Sequence, residues 1–519
     1  MKLAERIEFR KMANNINHKR IVVNTVFLYI RQIVTMIISL MATGIVMREL
    51  GIEDYGTYNV VGGVVALLSI LQGVMAVGTQ RFLNYEMGRG NTVGVRDVFN
   101  LSLLIYFAIA AIVVLIAETV GLWYVCEKMV IPEGRMTAVL WVYQFSILAS
   151  VLSVTQTPYT AVIIANEKMK VFGWLGIAES LSRFLLILLL PILPFDKLIS
   201  FGVINLSAGI FYRLVYRVYC KRSFPECKFI MPHNPKLLKE IASFSGWSLL
   251  AKIAYVGRDQ GGAIVVNSFF GVALNASVAV ATNVNSIISS FVSNFQTAYR
   301  PQLVKAYAAN DIKGMMFLFY LSSRISAFLI LLFSIPVVAN IDYLLQLWLG
   351  VIPEKSALII SILLLDSFVS ALFAPFWMTI FAMGNIKKYQ LAEGLIVLMN
   401  IPLMFFAFSD GLEIEWMYII RIFLVGLLFA YAIVYLVKEI DFPILQYTKI
   451  IVLPISIVAV LSFIGTIYIS SYFGGFFKIC ISIAAHTILF LPLFYTIVLT
   501  PKEKMQVVNL LLNKIRRIK

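Results

Sequence analysis

Residues 51–58 read GIEDYGTY, and thirty positions after Gly51 stands Arg81, inside TQRFLNYEMGRGN (79–91) and ten before Asn91. Later in the chain GVALNASV (271–278) is followed, twenty-nine positions after Gly271, by Arg300 inside AYRPQLVKAYAAND (298–311), again ten before an asparagine, Asn310. A third pair matches TPYTAVIIANEKMK (157–170) with APFWMTIFAMGNIKK (374–388), which sets Asn166 and Asn385 219 apart. A near-constant offset of 219 to 220 at three separate landmarks predicts a duplicated half. Parallel repeats of this kind place a transporter's substrate between two lobes.

Composition fixes the solvent of those lobes. Of 519 residues, 60% are hydrophobic and 13% charged, against about 25% charged in soluble domains. The chain therefore belongs in a bilayer. Apolar runs near 20 residues, the length of one spanning helix, predict fourteen spans: 21–46, 57–80, 98–125, 137–165, 171–194, 199–220, 242–270, 272–299, 315–341, 357–383, 388–409, 415–437, 447–470 and 474–499. The expected architecture is an all-α integral membrane protein. It has a six-helix N-lobe (21–220), a basic linker (221–241), a six-helix C-lobe (242–437), two additional helices (447–499), and basic tails at 1–20 and 500–519. Six spans per repeat is an even number, so both copies share one orientation.

The formal charge is +16, from 43 Lys and Arg against 27 Asp and Glu. In a soluble protein that excess would suggest nucleic acid, but here the distribution matters more. Roughly thirty of the basic residues fall in alternate segments, including the tail with Lys2, Arg6, Arg10, Lys11, Lys19 and Arg20, and about six fall in the others. Lys and Arg accumulate on the cytoplasmic side, so both termini are expected there, in a bacterial inner membrane, with the first span uncleaved. Cys126, Cys220, Cys227 and Cys480 show no CxxC spacing, and His18, His233 and His486 lie far apart. No metal, redox centre or cofactor is expected.

Charges inside spans carry the functional signal, because each costs about 2.5–3.5 kcal/mol at the bilayer centre on insertion scales. Arg31 lies about 15 Å into the first span at 1.5 Å per residue. Lys252 lies at the equivalent depth of the seventh, since 31 plus the offset falls one residue away. Arg258, Asp259, Gln260, Gly261 and Gly262 follow, a polar stretch expected to break the helix where it lines a cavity. Asp259 is seven residues from Lys252, so a structural pair between them is the plain alternative. Glu179 and Arg183 sit at i,i+4 and should satisfy each other. Arg421 and Glu393 are near helix ends and within reach of snorkelling, as are Arg213 and Arg217. Arg324 and Asp366 are open, and His486 reads as a packed helix contact. In the eighth span Asn275, Thr282, Ser286, Ser289, Ser293 and Gln296 share one helical face, a hydrated wall for hydroxyl-rich groups or a packing seam. Spans 1, 2, 7 and 8 are expected to line the cavity. Mid-span cations outnumber acids, which favours an anionic guest such as a phosphate.

The stretch RELGIEDYGTYNVVGGVVALLS (48–69), the fourteen-span plan and the polar seventh and eighth spans resemble the polysaccharide transporter (O-antigen flippase) family of the multidrug/oligosaccharidyl-lipid/polysaccharide exporter superfamily. The resemblance implies a pair of helical bundles that alternate between inward- and outward-open states. It implies as cargo an undecaprenyl-pyrophosphate-linked oligosaccharide, an O-antigen or capsule repeat unit, with polysaccharide polymerase and chain-length proteins as possible partners. Cationic residues of the family's spans 1 and 7 carry over to Arg31, Lys252 and Arg258, and the polar wall to Asn275, Thr282, Ser286, Ser289 and Ser293. Coupling to H+ or Na+ falls to Asp259 or Asp366. Two other classes compete: an ion-coupled multidrug cation antiporter of the same superfamily, expected to be carboxylate-rich, and a membrane polysaccharide polymerase or ligase, expected to carry a large outer loop. No GxxxxGK[ST] segment supports direct ATP drive.

Overall fold

The computed structural model describes residues 18–68, 70–127, 131, 134–232, 234–349, 352–501 and 503–505; the basic N-tail and most of the C-tail lie outside them. Among the described residues there are helices and connections and no strand. The long helices are α1 (His18–Leu68), α2 (Ile70–Gly88), α3 (Thr92–Glu127), α4 (Met136–Ala165), α5 (Met169–Ile187), α6 (Lys197–Ser223), α7 (Pro235–Ala308), α8 (Ile312–Ala339), α9 (Ser356–Met383), α10 (Lys387–Ser409), α11 (Trp416–Ile440), α12 (Ile444–Ser470) and α13 (Gly475–Val498).

Local sequence sets the helix ends. Asn91, Asp196 and Asn234 each accept a hydrogen bond from the backbone N–H three residues on, capping α3, α6 and α7, which satisfies one orphan donor per helix start. Inside α3 a π turn at Ala117–Gly121 loosens the backbone, and Tyr143 of α4 donates its hydroxyl to the Ala117 carbonyl at 2.6 Å.

The two longest helices are each divided by one glycine. A straight 74-residue α7 would run about 110 Å at 1.5 Å per residue, more than twice the thickness of a bilayer. Gly271 (φ 77°, ψ −174°) breaks it into two segments, and Gly51 (φ 77°, ψ 170°) does the same to α1. Only glycine holds such a φ without a steric penalty. The two breaks are 220 residues apart, the offset of the repeated segments.

Ten helices are long and apolar enough to cross a membrane among the described residues. They coincide with spans 1, 3, 4, 6 and 9 to 14 of those expected from sequence. The other four, beyond Gly51 into α2, α5, and both segments of α7, are helical too. The chain is thus a multi-pass membrane protein.

Two compact units emerge. Unit 1 comprises 1–252 with 297–315 and 382–387, and unit 2 comprises 253–296, 316–381 and 388–519. Unit 1 is centred on Val139, Val142, Tyr143 and Ile147 of α4 packed with Phe201 and Ile204 of α6. Unit 2 holds an aromatic cluster in which Phe319, Phe376, Phe442 and Tyr447 meet, mostly edge to face, at ring separations of 4.8–5.8 Å. Each unit carries an ion clasp at one end. Arg135, just before α4, is held by Asp54 and by Asp196 at the start of α6. Lys355, just before α9, is held by Glu413 and by Glu415 at the start of α11, the latter at 3.1 Å. Arg135 and Lys355 are 220 apart, and Asp196 and Glu415 are 219 apart.

The last two helices are fastened by polar contacts. Thr466 of α12 meets His486 Nδ1 of α13 at 3.3 Å, in line with a packing histidine, and Ser482 donates to Asn340 Oδ1 at 3.3 Å. Arg324, left open by sequence, is paired: its guanidinium lies 2.6 Å from Glu503, just past α13, and both are buried.

Candidate functional site

Unit 1 builds a site around Arg31. The side chain leaves α1 across the face of α5, where its guanidinium lies 4.3 Å from the Phe172 ring centroid. One turn on, Gly176 makes the room: a Cβ there would stand 2.9 Å from Arg31 Nε. Another turn carries Glu179 and Arg183, which pair at 3.2 Å as the i,i+4 spacing predicts. Glu179 and the Tyr216 hydroxyl of α6 lie within electrostatic reach of Arg31, and Asn205 faces Arg183 at 3.5 Å. No carboxylate among the described residues comes within ion-pair distance of Arg31. Two arginines therefore stand against one acid. Arg213 does not simply snorkel: it donates to Thr155 Oγ1 at 3.2 Å and stacks on Tyr159 at 4.6 Å. Lys252 is exposed and has no ion pair among the described residues.

Unit 2 departs from expectation at several points. The backbone stays helical through 258–262, so the predicted break is absent. Its glycines serve packing, since a Cβ on Gly261 would meet Ile401 at 2.7 Å and one on Gly262 would meet Met417 at 3.2 Å. Small residues let neighbouring helices approach in this way. Asp259 pairs with its neighbour Arg258 at 2.7 Å, not with Lys252. Arg258 is buried and lies over the Tyr255 ring at 5.1 Å. Asp366, almost fully buried, is paired with Arg421 at 2.8 Å, and Arg258 also feels its charge.

Arg421 thus points inward to an acid instead of snorkelling. Glu393 does not snorkel either: it is 3% exposed, accepts the Tyr255 hydroxyl at 2.9 Å on Oε1, and has no partner on Oε2 among the described residues. One turn earlier the buried Tyr389 hydroxyl is also unpartnered among them. Unit 2 therefore gathers Asp259, Asp366 and Glu393 against Arg258 and Arg421, and the expectation that cations outnumber acids does not hold there. The missed signal was Tyr255, seven positions before Gly262, whose hydroxyl could only be matched to Glu393 once α7 and α10 were known to touch.

The polar stripe of α7 divides. Thr282 and Ser286 are exposed and bond to their own helix, to the Val278 and Asn283 carbonyls, each at 2.8 Å. Ser289 faces Ser367 of α9 at 3.5 Å, and Ser367 donates to Asn285 at 2.6 Å, so this part is a packing seam. Ser293 is exposed. The Asn275 side chain lies outside the described residues.

No family model and no curated protein matches this sequence. Solved structures do match. A point mutant of a MATE protein is 14% identical, with a TM-score of 0.69 over 80% of this chain and 94% of its own. A point mutant of the MATE transporter VcmN from Vibrio cholerae is 15% identical, with a TM-score of 0.64 over 82% and 97%. The chain has a MATE-like fold. A third match, a MOP superfamily transporter from Pyrococcus furiosus, is 14% identical with a TM-score of 0.65 over 82% and 96%, and is described as having a binding pocket of reversed polarity that suggests a different function. Almost the whole of each neighbour is covered, while about a fifth of this chain extends beyond the match.

Proposed function

We propose that this chain is an ion-coupled exporter that moves an anionic, lipid-linked saccharide across the membrane by alternating access, with the two halves of the sequence repeat as the moving lobes. One observation carries the choice of cargo: Arg31 is held within the first span, stacked on Phe172 over the gap left by Gly176, with no ion-pairing carboxylate among the described residues. A guanidinium so placed is matched to phosphate oxygens, which it engages through two parallel N–H donors. A pyrophosphate at that depth leaves the polyprenyl chain in lipid. The carboxylates of unit 2 supply the coupling. Glu393, with one unoccupied oxygen beside the Tyr255 hydroxyl, joins Asp259 and Asp366 as a group that can take up a proton or Na+.

A second reading is an ion-coupled multidrug cation antiporter. The structural neighbours are MATE transporters and favour it over a flippase, and the acid excess of unit 2 suits a cationic guest. The Pyrococcus neighbour supports keeping pocket polarity separate from fold. A strain lacking this chain decides between the two. For a flippase it accumulates lipid-linked repeat units on the inner leaflet, wild-type chain clears them, and Arg31→Ala does not. Normal clearance by Arg31→Ala, or drug sensitivity without accumulation, supports the antiporter instead.

A further inference from the structure

Unit 1 contains two pieces from late in the chain, the end of α7 with the turn after it (297–315) and the turn between α9 and α10 (382–387). Each takes part in a helix cap with an unusual donor. Arg81 of α2, buried, donates Nη2 to the Ala382 carbonyl in the last turn of α9 at 3.2 Å. Its guanidinium is packed by the rings of Phe82, Tyr85 and Phe244 at 4.9, 5.4 and 5.0 Å. Gly384, at φ +89°, closes α9 beneath it, and a Cβ there would stand 2.0 Å from Nη2. In the second cap, Lys305 of α7 donates Nζ to the Ala165 carbonyl, the last of α4, at 2.8 Å. Lys305 also pairs at 2.9 Å with Glu167, whose other oxygen accepts from Gln302 at 3.1 Å. Glu167 is buried in left-handed backbone (φ 57°).

The repeat offset relates α2 to the second segment of α7, and α4 to α9. A cation from the first half caps a helix of the second, and a cation from the second half caps the equivalent helix of the first. Helix C-termini present orphan carbonyls and a partial negative charge, so both cations sit where they are favoured. The α2 and α7 backbones touch between these caps, where a Cβ on Gly88 would meet the Lys305 carbonyl at 2.7 Å and Ala308 at 2.8 Å.

We propose that these reciprocal caps form a latch that holds this end of the unit shut and releases once per transport cycle. The latch rests on the alternating-access reading but not on the identity of the cargo. Its chemistry suits release: on separation Lys305, Glu167 and the freed carbonyls all gain water, which offsets the lost contacts.

The test uses purified full-length chain in nanodiscs with the four native cysteines replaced by alanine and a reporter at Ile386→Cys, a buried position in the α9–α10 turn. Maleimide labelling is slow with the latch intact. Glu167→Gln and Arg81→Ala each raise the labelling rate about tenfold, the effect expected for losing one charge-assisted hydrogen bond. Lys305→Met, which removes both the Ala165 and the Glu167 contacts, raises it at least as much. Unchanged labelling in Glu167→Gln, or in Lys305→Met, overturns the latch. If Arg81→Ala does not fold, the Glu167 and Lys305 series decides alone. Because labelling reads opening and not cargo, a chain that latches normally yet moves another substrate would sink the flippase and leave the latch standing.

Discussion

Unit 1 and unit 2 carry the same outer clasp and opposite interiors. Arg135 with Asp196 and Lys355 with Glu415 occupy positions 220 and 219 apart, and each ties the helix start before α4 or α9 to the start of α6 or α11. Deeper in, unit 1 sets Arg31 and Arg183 against Glu179, while unit 2 sets Arg258 and Arg421 against three carboxylates. The clasp is shared and the interior chemistry differs. One half is left with a spare cation and the other with a spare acid, which is what a transporter needs if one lobe holds an anionic head group and the other takes up a coupling cation.

The sharpest way to break that comparison is to remove the spare charge from each unit separately. Arg31→Ala should abolish clearance of lipid-linked saccharide, measured by surface display, with protein abundance unchanged. Glu393→Gln should leave head-group binding intact and remove the dependence of transport on an ion gradient. If both substitutions produce the same defect, the two units do not divide the work.

Next comes the buried pair in unit 2. Asp366→Ala leaves Arg421 without its acid in an interior site, a loss of about 3–5 kcal/mol, read as a fall in Tm of the purified chain. Replacing both partners with apolar residues should recover most of it. A single variant as stable as the parent would mean that water already solvates Arg421.

The two glycine breaks offer a matched pair of smaller effects. Gly51→Ala and Gly271→Ala each force a Cβ into φ 77° with ψ near 180°, a region that costs other residues about 1–3 kcal/mol. Among the described residues neither Cβ meets a neighbour, so the losses should be equal by thermal unfolding. Unequal losses would show that the repeat is not structurally matched there.

The fold was more legible than the site, for physical reasons. Hydrophobic run length is a local property, so the spans could be read along the chain, and the offset linking Gly51 to Gly271 is visible without structure. Asp366 with Arg421 and Glu393 with Tyr255 pair residues on separate helices, far apart in sequence, and no periodicity within one helix records that. Arg421 and Glu393 looked like snorkelling residues because distance from a helix end was the only available measure. The 258–262 stretch looked like a broken helix because glycine next to charge reads as irregular backbone; its glycines face Ile401 and Met417, contacts that sequence could not supply.

The smallest effect lies in the outer clasps. Burial pushes the Asp196 carboxyl up, but hydrogen bonds from Arg135 and the Ile199 N–H outweigh it and hold Asp196 below the usual carboxylate range. A depressed carboxyl contributes stability above its unfolded value of about 3.9 and loses it as pH falls through the folded value. Arg135→Ala should therefore lower Tm by an amount worth at most about 1 kcal/mol at neutral pH. The difference from the parent should shrink as pH falls below the unfolded value and vanish once it is below the folded one. A difference that persists in acid would assign the effect to packing.

The division of charge is tested most directly in proteoliposomes that carry the purified chain and a fluorescent polyprenyl-pyrophosphate saccharide in one leaflet. The parent should translocate it faster with a proton or Na+ gradient, Arg31→Ala should fail with or without the gradient, and Glu393→Gln should run at a gradient-independent rate. Translocation indifferent to Arg31, or gradient-driven movement of an organic cation in place of the saccharide, would contradict it.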